Sequence, residues 1–155
     1  MTTTSHADRQ WLLAAIELSR KCPPTNSAYS VGAIIVGSEG VKLAEGYSRE
    51  GGPHDHAEQS AIAKLGSSRI DLTNATIYSS LEPCSTRKSQ PRTCTQLILA
   101  AGIGRVVYAL REPPLFAECH GVELLRDGGV QVIEISALGQ LVRDINARVL
   151  GTGQR

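Results

Sequence analysis

The sequence predicts an α/β domain on a mixed sheet, because short β-branched runs alternate with amphipathic helical stretches along one 155-residue chain. The first two runs, "VGAIIVG" and "VKLAEGYS", are joined only by a short "SEG" turn and read as an antiparallel hairpin. Helical stretches separate the later runs, which therefore read as parallel strands. A chain of this length supports one core without staples, so residues 1–155 are expected to form a single domain.

The elements follow in order. Trp11, Leu12, Ala15, Ile16 and Leu18 recur at helical spacing and predict a helix from Ala7 to Arg20, stopped by "KCPP". After the hairpin and a glycine-rich "EGGP" loop, "DHAEQSAIAKLG" predicts a second helix, with Asp55 as its cap and Gly66 at its end. "ATIYSSLEP" is a strand stopped by Pro83, and "TQLILAAG" is a helix ending at Gly102. "RVVYAL", "GVELLRDGG", "VQVIEI" and "ALGQLVRDINARVL" continue as strand, helix, strand and helix, bringing the strands to five.

Composition narrows the function. Sixteen basic against fifteen acidic side chains leave a net charge of +1, which gives no overall field for nucleic acid or an anionic membrane. No apolar run approaches the roughly 20 residues of a membrane span, and "MTTTSHADRQ" lacks the layout of a signal peptide, so a cytoplasmic location is expected. Four cysteines in such a chain favour thiols or metal ligands over a disulfide framework.

The chemistry concentrates in two segments. His56 and Glu58 in "DHAEQS" stand at i and i+2, a spacing that does not share a helix face and rarely serves packing alone. "LEPCSTRKSQPRTC" adds Cys84 and Cys94. One imidazole and two thiolates suit Zn²⁺, and three protein ligands leave the fourth tetrahedral position open to water, whose pKa the metal lowers toward about 7. Glu58 is then the expected proton carrier, taking a proton from the water and returning protons to the ring nitrogen and the departing amine. Two other readings stand beside this one. Cys22, Cys119, His54 or His120 could close the site as a structural zinc, or the cysteines could be plain core thiols.

The pair "HAE" followed by "PC" and a further cysteine resembles the cytidine deaminase-like superfamily of zinc hydrolases, whose signature is H-x-E…P-C-x-x-C. That resemblance covers nearly the whole chain and implies a three-layer α/β/α cytidine deaminase-like sandwich with a mixed five-stranded sheet. Nine residues separate Cys84 from Cys94 where the compact deaminases have C-x-x-C. The longer loop is similar to that of the riboflavin-pathway pyrimidine deaminases. Their fungal members share the flavour of "AYSVGA", "GYSRE", "HAEQ", "EPCSTR" and "GVELL" in this order. Bacterial members usually carry an Asn-Pro step before the first strand and a fused reductase domain, and neither is expected here.

By the same resemblance Asn26 and Tyr29 line the base pocket, although "PPTNS" also reads as an ordinary turn. It further implies that the backbone N–H of Ala57 and the carbonyl of Glu82 hold the pyrimidine amide and its amino group. Arg87, Lys88 and Arg92 lie between two expected zinc ligands, so at least one is expected at the pocket mouth, against the alternative of a solvated loop. Glu112 and Phe116 follow a strand's C-terminal end and are weaker candidates. His6, Cys22, Cys119 and His120 are expected to be structural or incidental, and His54 a loop residue near the site.

The expected function is zinc-dependent hydrolytic deamination of a small aminopyrimidine, first the ribosylamino- or ribitylaminopyrimidine phosphate of riboflavin synthesis. The expected assembly is a homodimer or homotetramer that binds neither nucleic acid nor membrane. A cytosine- or cytidine-type substrate and a non-catalytic zinc-stabilised binding module are the rivals.

Overall fold

The structure, a computed structural model, describes residues 5–66, 70–85, 92–113 and 119–152. Helix α1 (His6–Leu18) precedes strands β1 (Gly32–Val36) and β2 (Lys42–Tyr47), and α2 (Ala57–Lys64) leads to β3 (Thr76–Leu81). Then α3 (Cys94–Ala101), β4 (Arg105–Leu110), α4 (Gly121–Asp127) and β5 (Gln131–Glu134) alternate before α5 (Gly139–Ile145) and α6 (Ala147–Thr152). The strands form one sheet in the order β2-β1-β3-β4-β5. β1 pairs antiparallel with both β2 and β3, whereas β3, β4 and β5 run parallel. The predicted hairpin and parallel series are both present, and β1 is the strand that joins them.

β3 shows how the two helical layers are held, because successive strand residues face opposite sides of a sheet. Tyr78 donates its hydroxyl to Asp8 of α1 at 2.7 Å, while Ser79 reaches Glu58 of α2 at 2.9 Å. α1 therefore covers one face and α2 the other, with α3 and α4 continuing the α2 layer. Leu12, Ile35, Ile77, Ile98, Val106 and Leu125 are fully buried between the layers.

Several local expectations shift. The first helix starts at His6 because Ser5 caps it: Ser5 Oγ accepts from the Asp8 N–H at 3.0 Å, and Asp8 Oδ2 accepts from the Ser5 N–H at 3.1 Å. The same Asp8 carboxylate takes two guanidinium nitrogens of Arg105, at 2.6 and 2.8 Å, and so docks α1 onto β4. Burial pushes the Asp8 pKa up, but Arg105, Tyr78 and the Ser5 N–H outweigh it and hold the carboxyl well below the usual range.

His56, rather than Asp55, caps α2. Asp55 is occupied in the preceding loop, donating its N–H to Gly52 and accepting at its carbonyl from Arg49. Gly66 ends that helix in the left-handed conformation (φ +63°), as Gly102 ends α3 (φ +78°). The single last helix expected from "ALGQLVRDINARVL" breaks into α5 and α6 at Asn146. That buried amide accepts from the Ser30 N–H at 2.7 Å and donates to the Ser30 carbonyl at 3.2 Å. Among the described residues no helix is long and apolar enough to cross a membrane.

β2 approaches α2 backbone to backbone. A Cβ on Gly46 would lie 2.6 Å from both the Ala57 carbonyl and the Ala61 nitrogen. This contact sets the height of α2, and with it of His56 and Glu58, above the sheet edge.

Candidate metal centre and active site

His56, Cys84 and Cys94 come from three different elements and meet at one point. His56 is the extended residue that caps α2, Cys84 follows β3 by way of Pro83, and Cys94 opens α3 behind the Thr93 cap. The His56 Nδ1 atom lies 3.5 Å from Cys84 Sγ and 3.3 Å from Cys94 Sγ, and all three ligand atoms fall within 4.8 Å of one another. Tetrahedral zinc with its usual Zn–S and Zn–N bond lengths places neighbouring N and S ligands about 3.5 Å apart. The donor chemistry and the spacing therefore both fit Zn²⁺.

The N-terminus of α3 adds to this. The Cys94 N–H donates to Cys84 Sγ at 3.2 Å, and the Thr95 N–H donates to the Cys84 carbonyl at 3.1 Å. The Cys94 side chain beside it, then the His56 ring and this N–H, hold the Cys84 thiol well below its ordinary range against the opposing effect of burial. A ready thiolate is a ready metal ligand.

No other His, Cys, Asp or Glu of the described residues joins the cluster. Cys119 instead donates to the Pro83 carbonyl at 3.3 Å, with burial pushing its thiol up to about 12, and Cys22 lies 3.5 Å from the Val31 carbonyl. Neither behaves as a fourth ligand.

Glu58 sits in the first turn of α2 and is only 3% exposed. Burial, then the negative Cys84, raises its pKa, while His56, a backbone hydrogen bond at Glu58 and the Ser79 hydroxyl act in the other direction. A buried carboxyl with a raised pKa beside a metal-ligand set suits proton exchange.

Glu82 has a role the sequence did not show. Its buried carboxylate accepts from the N–H groups of Glu112 (3.0 Å) and Val122 (3.1 Å) and pairs with Arg111 at 3.2 Å, tying the exit of β4 to the start of α4. Among the described residues its carbonyl takes no hydrogen bond, and the Ala57 N–H is a first-turn donor without an intrahelical partner. Asn26 is exposed. Tyr29 is buried, and its hydroxyl donates to the Pro113 carbonyl at 2.8 Å. Arg87, Lys88 and Phe116 lie outside the described residues.

Residues 5–110 match the family described as the cytidine and deoxycytidylate deaminase zinc-binding region. The chain belongs to this deaminase family. Within it, the chain is 42% identical over 127 residues to the diaminohydroxyphosphoribosylamino-pyrimidine deaminase of Schizosaccharomyces pombe, a match covering 81% of this chain and 31% of that protein. It is 33% identical over 140 residues to the riboflavin biosynthesis protein RibD of Aquifex aeolicus, covering 90% of this chain and 37% of that one. The chain thus spans about a third of the length of these curated relatives.

Among solved structures, a Thermotoga maritima diaminohydroxyphosphoribosylaminopyrimidine deaminase/5-amino-6-(5-phosphoribosylamino)uracil reductase superposes with a TM-score of 0.80 at 33% identity, covering 95% of this chain and 42% of that one. Aspergillus oryzae Rib2 deaminase superposes with a TM-score of 0.80 at 22% identity, covering 93% and 91%, and shares the fold.

Ser79, Arg49 and the Glu82 carboxylate were not found by reading the sequence. The signal for Ser79 was present: "YSS" puts two serines inside a strand buried at every position.

Proposed function

We propose that residues 1–155 form a single zinc-dependent domain that hydrolytically deaminates an aminopyrimidine, with His56, Cys84 and Cys94 as metal ligands and Glu58 as proton carrier. The observation that carries this reading is the convergence of the three ligand atoms within 4.8 Å, beside a buried carboxyl whose pKa is raised. Zinc, when bound, supplies a Lewis acid that makes water nucleophilic at neutral pH. Glu58 would carry both protons of the attacking water in turn, the first to the ring nitrogen as the water oxygen bonds to the amino-bearing carbon, the second to the amino group as the C–N bond breaks and ammonia leaves. The Ala57 N–H and the Glu82 carbonyl hold the pyrimidine edge, and Asn26 and Tyr29 belong to the segment that closes the base pocket.

The substrate we assign is the diamino-hydroxy-ribosylamino- or ribitylamino-pyrimidine phosphate of riboflavin biosynthesis. The 42% identity to a deaminase of that name supports it. In the loop between the two cysteines, Arg87 and Lys88 are the cations we place on the phosphate. The domain works in the cytoplasm as a homodimer or homotetramer. Leu99 of α3 and Leu124 of α4, 36% and 45% exposed on neighbouring helices, supply apolar surface for association.

A panel of phosphorylated and dephosphorylated ribosylamino- and ribitylaminopyrimidines, cytosine, cytidine and deoxycytidylate, read by ammonia release, tests the reading. Preference for a phosphorylated aminopyrimidine supports it, with Arg87→Ala and Lys88→Ala raising KM for that substrate alone. Preference for cytosine or cytidine replaces the substrate. Zinc binding without ammonia release from any compound would mean a binding module.

A further inference from the structure

Resting on the proposed deaminase reading, we propose that Arg49 is a positioning residue, clamping the base-pocket segment Cys22–Ser30 at a fixed distance from the metal ligand His56. Arg49 is the only non-glycine residue with positive φ (61°) among the described residues, a conformation that side chains other than glycine rarely adopt. Its N–H donates to the Asp55 carbonyl at 2.8 Å, closing the 49–55 loop, so the next residue after the closure is His56. The backbone of Arg49 is therefore tied to the ligand side of the site.

Its side chain is tied to the substrate side. Nε and Nη2 donate to the Pro23 carbonyl at 3.1 and 2.8 Å, Nη1 to the Tyr29 carbonyl at 3.1 Å, and Nη2 to Ser30 Oγ at 3.0 Å. All four side-chain bonds land on one segment that has no helix or strand between Cys22 and Ser30. Among the described residues no carboxylate pairs with this guanidinium, so the cation is held by pocket-segment oxygens alone. The rigid planar fork meets these three acceptors in fixed directions, a pre-organisation that a lysine ammonium lacks.

The opposite side of the segment is pinned by the rigid body of the fold. Tyr29 donates to Pro113, and Asn146 brackets Ser30 through both its N–H and its carbonyl. Arg49 joins this segment to the loop that ends in the ligand, beside the pairing of Ser48 with Val31 at the segment's end. With the clamp removed, the segment keeps its anchors at Pro113, Asn146 and, through Val31, Ser48, but loses the bonds that hold Pro23, Tyr29 and Ser30 at a fixed distance from His56. Substrate binding should then weaken while the proton chemistry at Glu58 continues.

The test uses Arg49→Asn, because asparagine tolerates the left-handed backbone and lacks the fork. The expected result is one zinc per chain, KM for the preferred pyrimidine raised by roughly 10-fold or more, and kcat close to that of the parent protein. Arg49→Lys should recover only part of the loss. Hydrogen–deuterium exchange should accelerate in peptides covering 22–31 and stay unchanged in α2 and β3, a readout that needs no turnover. Ser30→Ala, which removes one of the four bonds and leaves the strained backbone untouched, should move KM and exchange in the same direction by less.

Unchanged exchange and unchanged KM in zinc-loaded Arg49→Asn would overturn the proposal. So would parental behaviour of Ser30→Ala if Arg49→Asn fails to fold. If the parent protein releases no ammonia from any pyrimidine but exchange in 22–31 still accelerates, the clamp stands and the assigned reaction falls.

Discussion

The Ser79 hydroxyl stands 2.9 Å from Glu58 Oε2, and the same oxygen stands 2.8 Å from the Leu81 carbonyl. A hydroxyl has one proton to donate and can accept as well. When Glu58 is ionised, Ser79 donates to it. When Glu58 is protonated, the carboxyl donates to Ser79, whose own proton turns to Leu81. The buried carboxyl is thus partnered in both protonation states, as the proposed proton carrier would need to be.

Removing the hydroxyl therefore acts unequally on the two states. The ionised form loses a donor, so Ser79→Ala should raise the Glu58 pKa beyond its already elevated value. The acid limb of the pH–rate profile should move to higher pH, with activity lost most at the acidic end. A profile superimposable on the parent's would show that Ser79 does not act on Glu58.

Glu58→Gln tests the carboxyl itself. The amide keeps the shape and a hydrogen bond to Ser79 but cannot exchange protons. Zinc content and thermal stability should stay near parental values while turnover falls by roughly 10²–10⁴-fold. Loss of zinc in this variant would instead make Glu58 a ligand.

The parts of this site that were legible in the sequence are those fixed by spacing and chemistry. His56, Glu58, Cys84 and Cys94 carry their donor atoms wherever they fall, and the alternation of runs was enough to find five strands and to read the first two as an antiparallel hairpin and the later ones as parallel. Asp55 shows the limit. It is as good a capping residue as the sequence offers, yet its backbone is used to close the 49–55 loop, and the cap passes to His56. Arg49 and Glu82 were illegible for a related reason, since their partners are backbone groups of distant segments that no pattern of side chains records. The break at Asn146 depends on Ser30, 116 residues away.

Metal binding should depend on Cys94. Cys94→Ser replaces a soft thiolate at the start of α3 by a poorly ionised hydroxyl, and zinc content measured by elemental analysis should collapse together with activity. Chelation of the parent protein should lower its melting temperature, because ligands from three elements are released at once. Full zinc occupancy in Cys94→Ser would remove Cys94 from the ligand set.

Gly46→Ala probes the support of the site from below. The added methyl meets the Ala57 carbonyl, the Ala61 nitrogen and Ser60 Cβ, the last at 2.7 Å, and two of these are backbone atoms that cannot swing aside. α2 must rise from β2, carrying His56 and Glu58 with it. Overpacking of this kind costs about 1–3 kcal/mol. Zinc affinity, measured by competition with a chromogenic chelator, should weaken along with the melting temperature. A variant that loses stability but binds zinc at parental affinity would show that the height of α2 does not set the site.

Glu112 supplies a pH-dependent test of the metal-free protein. Its half-buried carboxyl follows β4 and has no hydrogen-bond partner for its side chain among the described residues. Burial first, then the negative charges of Cys84, Glu58 and Glu82, push its pKa from 4.5 up to about 7. An acid whose pKa is higher folded than unfolded binds more protons in the folded state between those two values, so its contribution to stability falls as pH rises through that window. Above about 7 the full cost of the charged, crowded carboxylate is present. Glu112→Gln removes that cost. It should raise the melting temperature of zinc-free protein at pH values above this range and change it little in the acidic range near the unfolded pKa. Zinc, by adding positive charge among the same neighbours, should shrink the difference between the two proteins. Equal melting temperatures for parent and variant across the whole range in the absence of metal would mean that Glu112 does not feel the charges of the ligand set.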